Sequence, residues 1–162
     1  MSTKHRPSNL DLDKLKSASN KKFAIVCSEW NPEIINRLLE GAYDFFEEIG
    51  ISKNKIDELK VPGSFELIFG CYKVQSSKKY DAILAIGSVI RGETSHYDIV
   101  VNESASGITQ LSLSNNIIIT NSILTVENKK QALDRSLNDT TNKGYHAAYA
   151  CNLLIDIKNG KF

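Results

Sequence analysis

The segment from Gly87 to His96 holds the residues of this chain best suited to bind an anion and to move a proton. Gly87 and Gly92 are spaced like the two glycines of a nucleotide-binding phosphate loop, but Glu93 stands where that loop needs a lysine. A carboxylate there would repel a nucleoside triphosphate, which excludes that class. Backbone N–H groups around Gly92–Thr94 precede a predicted helix, where they suit a phosphate monoester. A plain strand-to-helix turn capped by Thr94 is the alternative.

Four side chains could complete such a site, and each also has a purely structural interpretation. His96 begins a predicted helix and could transfer protons, because imidazole titrates near neutral pH; otherwise it is a surface histidine. Glu66 could accept hydrogen bonds from ligand hydroxyl or amino groups, or only complement a helix dipole. Trp30 could stack on a flat heterocycle or pack in the core. Arg135 could bind phosphate or be a solvated cation at a helix end.

Short apolar runs alternate with helical patterns along the chain, and this alternation predicts where those side chains meet. The predicted strands cover 23–27, 56–60, 81–87 and 117–124. The predicted helices begin at Pro32 after an Asn31 cap, near Ser64, near 95–97, at Val126 after a Thr125 cap and after an Asn142 cap. This order predicts a three-layer α/β sandwich with a four-stranded parallel sheet. Ligands bind at the carboxyl ends of such strands, which the candidate residues follow.

Length and composition place the chain in an ordinary globular class. Its 162 residues indicate one domain, which we expect over 22–162 after a polar N-terminal arm over 1–21. The formal net charge of +1 provides no field that would attract nucleic acid or anionic lipid. The sequence contains neither a dinucleotide-binding GxGxxG after the first strand nor the GxSxG of serine hydrolases.

Cysteine usage and hydropathy predict the compartment. Cys27, Cys71 and Cys151 are scattered and odd in number, without metal-ligand spacing, so we expect buried free thiols in a reducing cytosol. No apolar run approaches the roughly 20 residues of a membrane helix, and the N-terminus lacks a signal-peptide pattern. These features predict a soluble, cytoplasmic protein with no membrane partner.

Several motifs together resemble the 6,7-dimethyl-8-ribityllumazine synthase family. The matching segments are Trp30-Asn31, Val61-Pro-Gly-Ser-Phe-Glu-Leu67, Tyr80-Asp-Ala-Ile83, Gly87-Ser-Val-Ile-Arg-Gly-Glu-Thr-Ser-His-Tyr-Asp98, Asn102-Glu-Ser-Ala-Ser-Gly-Ile108, Thr125-Val-Glu-Asn128, Gln131-Ala132, Arg135 and Asn142-Lys-Gly144. The resemblance covers residues 22–157, and the second and fourth of these segments are highly specific at their separation.

The resemblance implies a flavodoxin-like fold and a transferase of riboflavin biosynthesis. In that family, 5-amino-6-(D-ribitylamino)uracil condenses with 3,4-dihydroxy-2-butanone 4-phosphate in the penultimate step, without a metal or redox cofactor. A Schiff base forms, phosphate leaves, and ring closure gives 6,7-dimethyl-8-ribityllumazine. The implied assembly is a homopentamer, or an icosahedral shell of twelve such rings (a 60-mer), with riboflavin synthase as a candidate partner.

Residue roles carried over by motif position divide the site into three parts. His96 transfers protons. The ribitylaminouracil is bound by Trp30, Ser64, Phe65, Glu66, Ser88, Val89, Ile90 and Asn121. The butanone phosphate is bound by Glu93, Thr94 and Arg135. In the family, the positions of Asn121 and Arg135 belong to the adjacent subunit of the ring.

Two positions depart from the family pattern and keep other functions open. Asn121 stands where members often carry an aromatic side chain that closes over the heterocycle, and Asp139 stands where some carry a lysine. A flavodoxin-like domain that holds flavin or lumazine without catalysis is therefore the alternative to an enzyme. A mainly structural, shell-forming protein is a third interpretation, compatible with catalysis.

Overall fold

The computed structural model describes residues 21–115 and 117–160. The strands are β1 (Phe23–Ser28), β2 (Ile56–Val61), β3 (Ala82–Ile90) and β4 (Ile118–Val126). The helices are α1 (Pro32–Glu48), α2 (Leu67–Ser76), α3 (His96–Asn115), α4 (Lys129–Asp134) and α5 (Lys143–Lys158), with a 3₁₀ turn at Lys53–Lys55. The predicted arm lies outside the described residues except for Lys21, whose Nζ binds Asp156 Oδ1 of α5 at 2.8 Å.

The sheet has four parallel strands, as the sequence predicts, and the structure shows their order to be β2-β1-β3-β4. β1 is buried along its whole length, which explains its continuous apolar sequence. One apolar cluster packs α1 and α5 against one face of the sheet, and a second packs α2 and α3 against the other. The predicted three-layer sandwich is therefore confirmed. Because β1 lies between β2 and β3, the chain runs from β1 to β2 on one side and then returns from β2 to β3 on the other side of β1. This reversal opens a crevice at the carboxyl ends of the strands.

Two predicted boundaries near that crevice are wrong. β3 runs to Ile90, three residues past the predicted end, because Val89 and Ile90 still pair with β4. Likewise, β4 continues through Val126, so Thr125 cannot cap a helix. The cap is Asn128, whose side chain accepts a hydrogen bond from the Gln131 N–H at 3.0 Å.

Asn31 precedes α1 as predicted. In the part of the chain that the structure describes, however, its side chain makes no capping hydrogen bond to that helix. Its backbone is left-handed, with φ 60° and ψ 53°, a conformation that asparagine tolerates better than most residues. Its Nδ2 instead donates to the Ser88 carbonyl oxygen at 3.1 Å. The loop after β1 is thereby tied to the end of β3, across the crevice.

The start of α5 confirms the predicted Asn142 cap and shows how tightly this helix meets α1. Asn142 Oδ1 accepts from the Gly144 N–H at 2.8 Å, and its Nδ2 donates to the Arg37 carbonyl oxygen at 2.9 Å. A Cβ on Gly144 would lie 1.9 Å from the Leu38 carbonyl oxygen, so only glycine fits there. This close contact fixes the position of Lys143.

No helix within 21–115 or 117–160 is long and apolar enough to cross a membrane.

Candidate active site

A cavity of about 520 Å³ lies at the carboxyl ends of β1, β2 and β3. Its lining comprises Trp30, Asn31, Ser64, Phe65, Glu66, Ser88, Val89, Ile90, Gly92, Thr94, His96, Tyr97, Ile99 and Val100. Nine predicted site residues therefore share one cavity, although they come from three separate segments of the chain, which follow β1, follow β2 and run from the end of β3 to the start of α3. They meet at the carboxyl edge of the parallel sheet, where the sequence places them.

The aromatic side chains of this cavity are presented to solvent. Trp30 is 66% exposed, which excludes the interpretation that it is a core residue. Phe65 is also exposed, on the loop that follows β2. Gly63 lets Trp30 and Glu66 approach each other, because a Cβ on this glycine would lie 2.8 Å from Glu66 Oε2 and 3.0 Å from the Trp30 ring. A flat ring and a carboxylate thus lie on the same side of the cavity.

Two polar groups in the cavity wall lack hydrogen-bond partners within the described part of the chain. These are Glu66 Oε2 and Ser88 Oγ, both atoms being buried. Buried polar atoms in folded proteins are almost always satisfied, so unpaired ones at a cavity wall suit a ligand that supplies donors. The amino and hydroxyl groups of a polar heterocycle would meet that requirement.

The turn between β3 and α3 confirms the predicted helix start and leaves its donors free. Within the described chain, none of the backbone N–H groups of Gly92, Glu93 and Thr94 donates a hydrogen bond. His96 begins α3, and its backbone N–H lies 3.4 Å from Thr94 Oγ1. Glu93 is exposed on the turn and does not line the cavity, unlike Thr94 and His96. The turn can therefore offer main-chain donors to an anion beside an imidazole.

The remaining two predicted site residues, Asn121 and Arg135, do not join that cavity. They line a second cavity of about 620 Å³ between β4 and α5. Asn121 is exposed and its Oδ1 accepts from the Ile123 N–H at 2.8 Å. Arg135 lies at the end of α4, as predicted, and donates from its NH1 to the Gln131 carbonyl oxygen at 3.2 Å. One chain therefore carries two separate sets of candidate residues.

Lys143 and His146 line the second cavity and are absent from the predicted site. The Lys143 N–H donates to the Arg135 carbonyl oxygen at 2.9 Å, so the two cationic residues are neighbours. Burial, and then the charge of Arg135, lower the pKa of the Lys143 ammonium. Lys143 Nζ is 3.2 Å from His146 Nδ1, and His146 Nε2 is 2.8 Å from the Thr140 carbonyl oxygen. The sequence signal for Lys143 is the Asn142-Lys-Gly144 motif, which belongs to the family resemblance but assigns a local role only to Asn142, as a helix cap.

The three cysteines are free and buried, as predicted. Burial raises the pKa of each thiol, Cys27, Cys71 and Cys151, to about 12. Reactive cysteines need a thiolate at neutral pH, so these three have no role as nucleophiles. Within the described ranges, no group of histidine, cysteine, aspartate and glutamate side chains is arranged to hold a metal ion.

Sequence comparison adds a finding that agrees with this geometry. Residues 20–159 match the family model of 6,7-dimethyl-8-ribityllumazine synthase. The chain belongs to this family. A 6,7-dimethyl-8-ribityllumazine synthase of Christiangramia forsetii is 41% identical over 157 residues, covering 96% of this chain and 94% of the relative. The lumazine synthase of Leuconostoc mesenteroides subsp. mesenteroides is 40% identical over 144 residues, covering 89% and 92%.

Membership in the lumazine synthase family makes the chain a transferase of riboflavin biosynthesis. The resemblance seen in the motifs is therefore confirmed over almost all of the chain. The parallel sheet with helices on both faces agrees with the flavodoxin-like fold implied for the lumazine synthase family.

Proposed function

We propose that this chain condenses 5-amino-6-(D-ribitylamino)uracil with 3,4-dihydroxy-2-butanone 4-phosphate. The products are 6,7-dimethyl-8-ribityllumazine, inorganic phosphate and the water released by Schiff-base formation and ring closure, in the penultimate step of riboflavin biosynthesis. The observation that carries this proposal is the cavity at the carboxyl edge of the sheet. There an exposed tryptophan, an unpaired carboxylate and a turn with free N–H groups face one space.

The pyrimidine substrate fits the half of the cavity formed after β1 and β2. Trp30 would stack on its ring, and the unpaired Glu66 Oε2 would accept from its hydroxyl or amino groups. Ser64 and Phe65 border the same space and would hold the ribityl chain. Residues 88–90 at the end of β3 would line the ring edge through their backbone.

The phosphate ester fits the turn before α3. The N–H groups of Glu93 and Thr94, with the positive end of the helix dipole, would hold its phosphate. His96, in the first helical turn, would move protons while the Schiff base forms and phosphate leaves. Fixing two reactants beside each other and stabilising a departing anion can together supply much of the rate enhancement.

Asn121 and Arg135 would complete the site of a neighbouring copy. Both line the second cavity of the chain, so a head-to-tail contact could bring that cavity against the first cavity of the next subunit. Head-to-tail contacts of this kind close into rings. We propose a homopentamer on this basis, with a 60-subunit shell as the larger assembly and riboflavin synthase as its candidate partner. The three buried thiols support a place in the reducing cytoplasm.

Replacing Asn121 with phenylalanine is expected to tighten binding of the ribitylaminouracil by roughly 1 kcal/mol, about fivefold in Kd. The reason is that an aromatic ring at this exposed position would add a second stacking face to the heterocycle. Fluorescence titration of wild type, Asn121→Phe and the matched Asn121→Leu variant measures the Kd. The gain in affinity should be smaller for Asn121→Leu than for Asn121→Phe. A large loss of binding in both variants would show that the site depends on the asparagine amide.

The proposed reaction is tested by mixing both substrates with the protein and following lumazine absorbance and fluorescence. Product should form in proportion to enzyme above the uncatalysed rate, with one phosphate released per lumazine. A protein that binds lumazine without accelerating its formation would contradict the proposal and support the ligand-binding alternative.

A further inference from the structure

The turn between β3 and α3 is exposed from residue 91 to residue 96, so little packing holds its shape. Its first residue, Arg91, donates from its backbone N–H to the Val126 carbonyl oxygen at 2.9 Å. At the other end, the Asp98 N–H donates to the Ser95 carbonyl oxygen at 3.0 Å. A surface turn whose main chain is held by so few hydrogen bonds could adopt several conformations.

Arg91 begins this turn, and its guanidinium contacts both the start of α3, beyond the other end of the turn, and the residue that follows β4. Its NH2 and NH1 lie 3.1 and 3.4 Å from the two carboxylate oxygens of Asp98. Its Nε donates to Glu127 Oε2 at 2.8 Å. Its Cζ lies 3.9 Å from the centroid of the Tyr97 ring. One planar group therefore contacts three residues that follow two different strands.

These contacts make Arg91 unsuited to bind phosphate itself. Two carboxylates compensate its charge, and Nε, NH1 and NH2 all donate to them. Hydrogen bonding to Asp98, and then the charges of Asp98 and Glu127, raise the pKa of Arg91, so it stays a cation. Tyr97 lines the first cavity, whereas Arg91 does not.

We infer that Arg91 is a positioning residue, which fixes the turn that presents the Thr94 N–H and His96 to the phosphate substrate. The inference rests on the proposed function of that cavity. An isolated surface ion pair contributes little to stability, but a bidentate contact, a second carboxylate and a ring stack on one guanidinium restrict the turn jointly. A turn whose conformation is fixed beforehand loses less entropy when the phosphate substrate binds. It also holds the His96 imidazole at a constant position relative to the reacting atoms.

Arg91→Lys tests this, because lysine keeps the charge but can neither form the bidentate pair nor present a planar face to Tyr97. We expect the KM for butanone phosphate and the inhibition constant of inorganic phosphate each to rise about tenfold. The KM for ribitylaminouracil should stay within about twofold, and Tm within about 3 °C. Asp98→Asn should also raise the KM for butanone phosphate and the inhibition constant of phosphate. In the double variant these two constants should be little higher than in either single variant.

Arg37→Lys is the matched control. Arg37 is also an arginine paired with a carboxylate, Glu33 at 3.5 Å, but it lies on α1 and lines neither cavity. It should leave both Michaelis constants unchanged.

Two results would overturn the role of Arg91. One is an unchanged inhibition constant for phosphate in Arg91→Lys. The other is an equal rise in both Michaelis constants with a lower Tm, which would make the residue merely structural. Calorimetric titration with inorganic phosphate needs no turnover, so the inference can be tested even if wild type forms no lumazine and the proposed function fails.

Discussion

Replacing His96 with alanine is expected to lower kcat about 100-fold while Kd for the ribitylaminouracil stays within about twofold. A positioned proton-transfer group raises the rate of catalysis on the order of 10²- to 10⁴-fold, and we expect the contribution of His96 to lie at the low end of this range. The reason is that the condensation can also proceed slowly without a catalyst. The pyrimidine site is formed by residues that follow β1 and β2 and by the end of β3, so it should survive this substitution. Stopped-flow turnover and equilibrium titration separate the two effects.

His96→Asn is the matched control, since asparagine can still donate and accept hydrogen bonds but cannot transfer a proton near neutral pH. It should be nearly as slow as the alanine variant. If either variant kept the wild-type kcat from pH 6 to 8, His96 would have no part in proton transfer.

Arg135→Ala should raise the KM for butanone phosphate about 10- to 100-fold, because charge-assisted hydrogen bonds to phosphate contribute roughly 1.5–3 kcal/mol. The KM for ribitylaminouracil should change little, since the guanidinium would face only the phosphate. Lys143 lies near Arg135 and would retain part of the attraction. Steady-state kinetics with each substrate varied in turn measures the two constants.

The control for this prediction is Arg37→Ala, which removes an arginine from the exposed side of α1. It should leave both constants unchanged. If Arg135→Ala raised the KM of both substrates equally, the residue would support the end of α4 and would not recognise phosphate.

The buried strands could be predicted because their sequences contain a single dominant signal. β1 and the first part of β3 are continuous apolar runs, and burial on both faces of a sheet explains them directly. The far ends of β3 and β4 were underestimated because Ser88 and Thr125 are polar. Their place in the sheet depends on pairing with each other's strand, which a local pattern cannot reveal.

The sequence predicts those parts of the candidate site whose position follows from the order of the strands. It does not predict the parts that depend on contacts between residues far apart in the chain. The loops bearing Trp30, Glu66 and His96 meet because parallel strands end at one edge. In contrast, Asn31 faces Ser88, 57 positions away, and Arg91 faces Glu127, 36 positions away. Lys143 follows Arg135 by only eight positions, but it begins α5 whereas Arg135 ends α4, so only the folded chain shows that both line the second cavity.

We propose that each active site combines the first cavity of one subunit with the second cavity of its neighbour. This proposal is tested by unfolding Glu66→Ala and Arg135→Ala variants, mixing them equally and refolding them together. Each variant refolded alone and refolded wild type are the controls, assayed at butanone phosphate concentrations below the wild-type KM.

Random mixing should leave about a quarter of the sites with both halves intact, because each site draws independently on two subunits. We therefore expect the mixture to recover about a quarter of the activity of refolded wild type, well above either variant alone. Activity equal to the average of the two separate variants would show that each site lies within one chain and is not shared between subunits.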